Sequence, residues 1–154
     1  MTMRAGVRIG VDVGRARIGV ARSDLDGLLA VPAGTVRRGK GDIAQLVGTG
    51  DELGAVEFVV GLPLALSGAE TASTEDARAF ARALAAASGR PVRLVDERLS
   101  TVSAQRSLHA AGKDVRRSRP VIDQVAATII LQNALDTERS SGRPPGELIT
   151  QDEG

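Results

Sequence analysis

Residues 7–13, Val-Arg-Ile-Gly-Val-Asp-Val, alternate so that Val7, Ile9, Val11 and Val13 share one face of a strand and Gly10 and Asp12 the other. Gly14-Arg15-Ala16 leaves room only for a tight connection into a second strand over 17–22, which predicts an antiparallel hairpin. Asp24, Asp26 and Gly27 read as turn formers, and Leu28–Val36 as a weaker third strand whose Pro32 suits an edge. The period then changes. Asp42 can cap a helix running to about Leu53, and Val56–Val60 is an almost unbroken apolar run, as expected of a strand buried on both faces. Ala77, Phe80, Ala81 and Leu84 form an apolar stripe on a helix over 74–87, with Glu75 and Asp76 in its first turn. Gly89 and Pro91 stop it, 92–95 reads as a short last strand, and Ser100 or Thr101 can cap a helix to about Ala111. Val121–Leu135 is a largely apolar final helix, and residues 139–154 read as a polar, flexible tail.

The order β-β-β-α-β-α-β-α predicts an α/β fold of the ribonuclease H type, a mixed five-stranded sheet flanked by helices. A chain of 154 residues is one domain's worth. The expected boundaries are a domain over 1–138 and a tail over 139–154.

Composition removes several alternatives. There is no cysteine, which excludes disulfides, thiolate metal sites and a cysteine nucleophile. The only aromatic residues are Phe58 and Phe80, too few to read single strands by stacking on bases. Net charge is +1, so a surface for nucleic acid must come from local clustering. Lys40 and Lys113 are the only lysines among 20 basic residues, a bias that codon preference in a GC-rich genome explains and that carries no functional argument. Met1-Thr2-Met3-Arg4 holds no apolar signal core, and no apolar run approaches membrane-spanning length, so a cytoplasmic chain with no membrane partner is expected.

Three acids occupy unusual places. Asp12 lies near the end of a strand that should be central, Glu97 directly follows the last strand, and Asp123 heads the apolar stripe of Ala127, Ile130 and Ala134. Ligand sites of open α/β sheets lie beyond the carboxyl ends of strands. Clustered carboxylates repel unless cations neutralise them, and hard divalent ions with oxygen ligands do so. Two such ions about 3.5–4 Å apart support phosphodiester cleavage. Each acid also has a plainer reading: Asp123 as a favourable charge at a helix start, Glu97 as a turn acid near Arg93 or Arg98, and Asp12 as a buried, paired acid.

The resemblance is carried by four segments in order. Gly10-Val11-Asp12-Val13-Gly14-Arg15-Ala16-Arg17-Ile18-Gly19-Val20-Ala21 resembles the opening motif of the YqgF/RuvX family, and Val60-Gly61-Leu62-Pro63-Leu64 with Ser67-Gly68 its central loop. Asp96-Glu97-Arg98-Leu99-Ser100-Thr101 is similar to its most distinctive motif, and Val121-Ile122-Asp123-Gln124-Val125-Ala126-Ala127 to its last. The resemblance spans about residues 6–136. It implies a ribonuclease H-like fold related to the Holliday-junction resolvase RuvC and a nuclease that matures the ends of precursor small-subunit ribosomal RNA. It also implies that Asp12, Glu97 and Asp123 are catalytic and bind a divalent metal, magnesium or manganese. One departure stands out. RuvC-like enzymes carry a carboxylate at the end of the fourth strand, where this chain has Gly61-Leu62-Pro63.

Lys113, Arg116, Arg117 and Arg119 lie in a basic loop just before the Asp123 helix, and Arg15, Arg17 and Arg98 neighbour the acids in sequence. Together they are expected to form a rim that holds a phosphate backbone by shape. The near-match to a phosphate loop over 34–41 fails because Gly41 stands where magnesium needs a hydroxyl, and His109, the only histidine, has no second ligand to join it. The expected partners are structured RNA or branched DNA, with ribosomal proteins as candidates, acting as monomer or homodimer. The rivals to RNA processing are junction resolution, a non-catalytic nucleic-acid-binding factor, and an actin-like ATPase, for which one domain is too few.

Overall fold

The computed structural model describes residues 4–99 and 115–149, without the side chains of 99 and 115–122. Three strands, β1 (Arg8–Val13), β2 (Arg17–Ser23) and β3 (Ala30–Arg37), form an antiparallel meander. Helix α1 (Asp42–Leu53), strand β4 (Glu57–Leu62), helix α2 (Ala72–Ser88) and strand β5 (Val92–Asp96) follow, then a single 3-10 turn, Glu97–Leu99. A 27-residue helix, α3 (Val115–Ser141), and a short strand, β6 (Glu147–Ile149), end the described chain.

The sheet order is β3-β2-β1-β4-β5-β6, with β1, β4 and β5 parallel and the outer pairs antiparallel. It therefore has six strands, one more than the sequence pattern predicts. The expected tail from residue 139 is corrected at the same point: α3 continues to Ser141, and β6 pairs with β5 and buries Ile149. A three-residue strand shows too little alternation to be read from sequence.

Strand period two divides the core. Ile9, Val11, Ile18, Val20, Phe58, Val60 and Leu62 pack under α1 and α2 with Leu46, Phe80 and Leu84. The opposite face carries Ala21 and Val59, covered by Ala127, Ile130, Leu131 and Leu135 of α3. The small residues on that face let α3 lie close, and the side-chain amide of Gln132 fastens it to the edge: Ala30 N–H donates to its Oε1, and its Nε2 donates to Leu28 O.

Helix α2 is capped by Thr71 and Thr74, whose hydroxyl also donates to Pro63 O and so ties the helix to the chain leaving β4. The start of α3 differs from expectation. The helix begins at Val115, not Val121, and runs through Pro120, although proline removes one backbone donor there. The helix predicted to run from Ser100 or Thr101 to Ala111 and the surroundings of His109 lie outside the described residues.

At the amino ends of β1 and β4, far from the acids singled out above, Arg8 and Glu57 are each 1% exposed. Glu138 accepts from both Arg4 and Arg8, while Glu57 pairs with Arg4 and Arg93. This network pins the amino-terminal segment and β5 to the far end of α3. Among the described residues no helix is long and apolar enough to cross a membrane.

Candidate functional site

Alternation along β1 puts Asp12 on the face of Gly10, the face that α3 covers. A Cβ on Gly10 would stand 2.7 Å from Leu131 Cβ and 2.9 Å from Ala127 O, so helix and strand meet there at backbone distance. Asp12 pairs across the ladder with Gly19 of β2, and a Cβ on Gly19 would fall 2.0 Å from the carbonyl oxygen of Asp123. Asp123 thus sits over the cross-strand neighbour of Asp12.

Glu97 arrives from the other side. As the first residue after β5 it turns back over β4, and its Cγ and Oε2 lie 3.1 and 3.3 Å from where a Cβ on Gly61 would be. Val60 is the partner of Val11, so Gly61 and Asp12, each one residue further on, are neighbours at the carboxyl ends of parallel strands. The three acids therefore lie on one face, above the adjacent strands β2, β1 and β4, which span about 10 Å at ordinary strand spacing. Asp12 and Glu97 are 2% and 8% exposed.

Asp123 is half-buried and already engaged, with Arg17 Nε donating to its Oδ2 at 3.1 Å. Gln124, next to it, donates to the Thr35 hydroxyl at 3.0 Å and holds the helix against β3. Among the described residues no three acidic or histidine side chains are gathered tightly enough to hold one ion as they stand. In chemistry the set nevertheless fits a divalent cation. It is all oxygen, two of its members are buried, and carboxylates withdrawn from water are stabilised by positive charge, which Arg17 provides for Asp123.

The basic residues divide. Arg15 is exposed on the β1–β2 turn and Arg17 faces the acids. Arg98 is not a free cation: it binds Asp96 at 2.7 Å and reaches Leu66 O, bracing the loop after β4. That pairing holds the Asp96 carboxyl below its ordinary range. Lys113 lies outside the described residues. Arg116, Arg117 and Arg119 stand on helical backbone, so the expected basic loop is helix from Val115 onward, and their side chains are not described.

Sequence reading missed Arg38. Its guanidinium grips Asp76 through two bonds of 2.9 and 3.0 Å, donates to Gly14 O at 2.9 Å and stacks 5.3 Å over the Phe80 ring, while its backbone N–H donates to Ala16 O. It thereby clamps the turn that follows Asp12. The hydrogen bonds that Arg38 donates to Asp76 lower the Asp76 carboxyl and raise the guanidinium. No periodicity marks such a residue, because its partners are distant in sequence.

The profile of the family described as "RuvX: Holliday junction resolvase" matches residues 6–137. A Clavibacter michiganensis protein named "Putative pre-16S rRNA nuclease" is 60% identical over 150 residues, covering 96% of this chain and 93% of its own. A Leifsonia xyli protein of the same name is 61% identical over 153 residues, covering 96% of each. Among solved structures, Thermus thermophilus RuvC in complex with a Holliday junction substrate superposes with a TM-score of 0.56 over 90% of this chain and 99% of that one. At 16% identity that likeness is one of fold. With its motifs in order along nearly the whole length, the chain belongs to the RuvX family.

Proposed function

We propose that this chain is a metal-dependent endonuclease that hydrolyses phosphodiester bonds in structured nucleic acid and matures the ends of precursor 16S ribosomal RNA in the cytoplasm. The observation that carries the reading is the seat of Glu97 on Gly61, beside Asp12 at the carboxyl end of the parallel strands. Asp12, Glu97 and Asp123 would hold magnesium or manganese. Such an ion supplies positive charge to the phosphodiester and lowers the proton affinity of an attacking water.

The chain's own contribution is placement. Gly19 and Gly61 admit the Asp123 backbone and the Glu97 side chain against the sheet, and burial of Asp12 and Glu97 keeps the carboxylates from wandering. Arg15 on the turn and the basic start of α3 would take the phosphates on either side. The relatives named for precursor 16S ribosomal RNA favour RNA; the family's description favours a four-way DNA junction as a second reading. A symmetric junction calls for a two-fold dimer, so mass in solution separates the two cheaply.

The direct test compares the wild type with Asp12→Asn on labelled precursor ribosomal RNA and on a four-way junction, with magnesium or manganese. Wild type alone should cut, and RNA should be the better substrate. Equal cutting by both proteins would trace the activity to a contaminant.

A further inference from the structure

Among the described residues, Arg17 is the arginine of the expected rim that binds one of the three acids. Its Nε is committed to Asp123, whose backbone is held over Gly19, while neither terminal amino group makes a hydrogen bond among the described residues. The side chain keeps 29% of its surface exposed, and that of Asp123 keeps 16%. A guanidinium carries five N–H donors in a fixed fork suited to carboxylate or phosphate oxygens. It therefore offers the same chemistry to two anions that meet at this site.

We propose that Arg17 serves two anions in turn: the Asp123 carboxylate while no divalent ion is bound, and a phosphate of the nucleic acid once an ion takes that carboxylate. The inference rests on the nuclease reading and adds an order of events. An ion and a guanidinium compete for the same carboxylate, since each satisfies its charge. While Arg17 holds Asp123, that carboxylate is engaged by a guanidinium. When the ion wins, the arginine is released a short reach from the sheet face over which the backbone must pass. Charge released by one ligand is thus handed to the other, so ion and nucleic acid bind with positive coupling.

The contact is partly solvent-screened, and pairs of that kind contribute little, so removing it changes affinities by small factors and leaves the fold intact. The signs decide the matter. Arg17→Ala should bind Mn2+ roughly two- to five-fold more tightly in calorimetry on the protein alone, because the carboxylate no longer has a competitor. The same variant should bind a fluorescein-labelled RNA hairpin in Ca2+ roughly three- to ten-fold more weakly. Arg17→Lys, a charge without the fork, should fall between on both measurements.

A merely structural ion pair predicts otherwise, with both affinities unchanged or both reduced, and either result overturns the proposal. If wild type binds Mn2+ and cuts RNA but Arg17→Ala shows no tighter ion binding, the exchange is wrong and the nuclease stands. If wild type binds no Mn2+ and cuts nothing, both are wrong.

Discussion

Glu97 lies on Gly61, with its Oε2 3.3 Å from the position a Cβ would take there, so a carboxylate borne at the end of β5 fills the space above the end of β4. At Gly61-Leu62-Pro63, the bare glycine leaves the room that the Glu97 side chain takes. Ile130 Cδ1 of α3 would be only 2.6 Å from the same Cβ, so the glycine seats helix and carboxylate together. Gly61→Ala should therefore lower kcat/KM by roughly ten-fold or more while destabilising by about 1–3 kcal/mol, the usual range for overpacking. Paired cleavage and thermal melts check it; wild-type activity would show that Glu97 is not seated as described.

Two further glycines separate close approach from mere flexibility. A Cβ on Gly19 would meet the Asp123 backbone at 2.0 Å, where no rotamer change helps, so Gly19→Ala should cost about 3 kcal/mol and displace Asp123. Gly48, exposed in α1, has nothing within 4 Å of such an atom. There Gly48→Ala should stabilise by about 0.5–1 kcal/mol through helix propensity and leave cleavage unchanged. Denaturant unfolding of the pair measures both signs.

The Arg38 clamp predicts a split between turnover and binding. Arg38→Met loses Gly14 O and Asp76, the contacts that hold the turn after Asp12, so kcat should fall roughly ten-fold with KM little changed. Hydrogen exchange at the Arg38 and Gly14 amides, which donate to Ala16 O and Arg17 O, should rise in step, and Asp76→Asn should give a weaker version of the same effect. Loss of stability without that kinetic split would reduce Arg38 to a structural role.

At the opposite end of the sheet, pH reads the buried network. Bonds from the Arg4 side chain hold the Glu138 carboxyl below its ordinary 4.5. A carboxyl lowered on folding stabilises above its unfolded value and loses that contribution as pH falls through the folded one. Glu138→Gln should therefore cost about 1–3 kcal/mol at neutral pH and flatten the loss of Tm below pH about 4.5. Parallel slopes for the two proteins between pH 5 and 2 would rule the pairing out as a source of acid lability.

Much of the fold was legible because its signals are local. The alternation of residues 7–13, the run at Val56–Val60 and the stripe of Ala77, Phe80, Ala81 and Leu84 each report which faces are buried, and the structure buries nearly all of them, Val56 just ahead of β4 being the exposed exception. Asp12 could be singled out for the same reason, as an acid on a strand otherwise committed to the core. What no local pattern carries is the meeting of parts distant in sequence. The seat of Glu97 on Gly61, the pairing of Arg17 with Asp123, the Arg38 clamp and the return of Glu147–Ile149 as a sixth strand all depend on which segments lie side by side. Periodicity encodes how each segment meets a core, whereas the partner that a charge or a glycine finds is settled only by the packing of the sheet against α3.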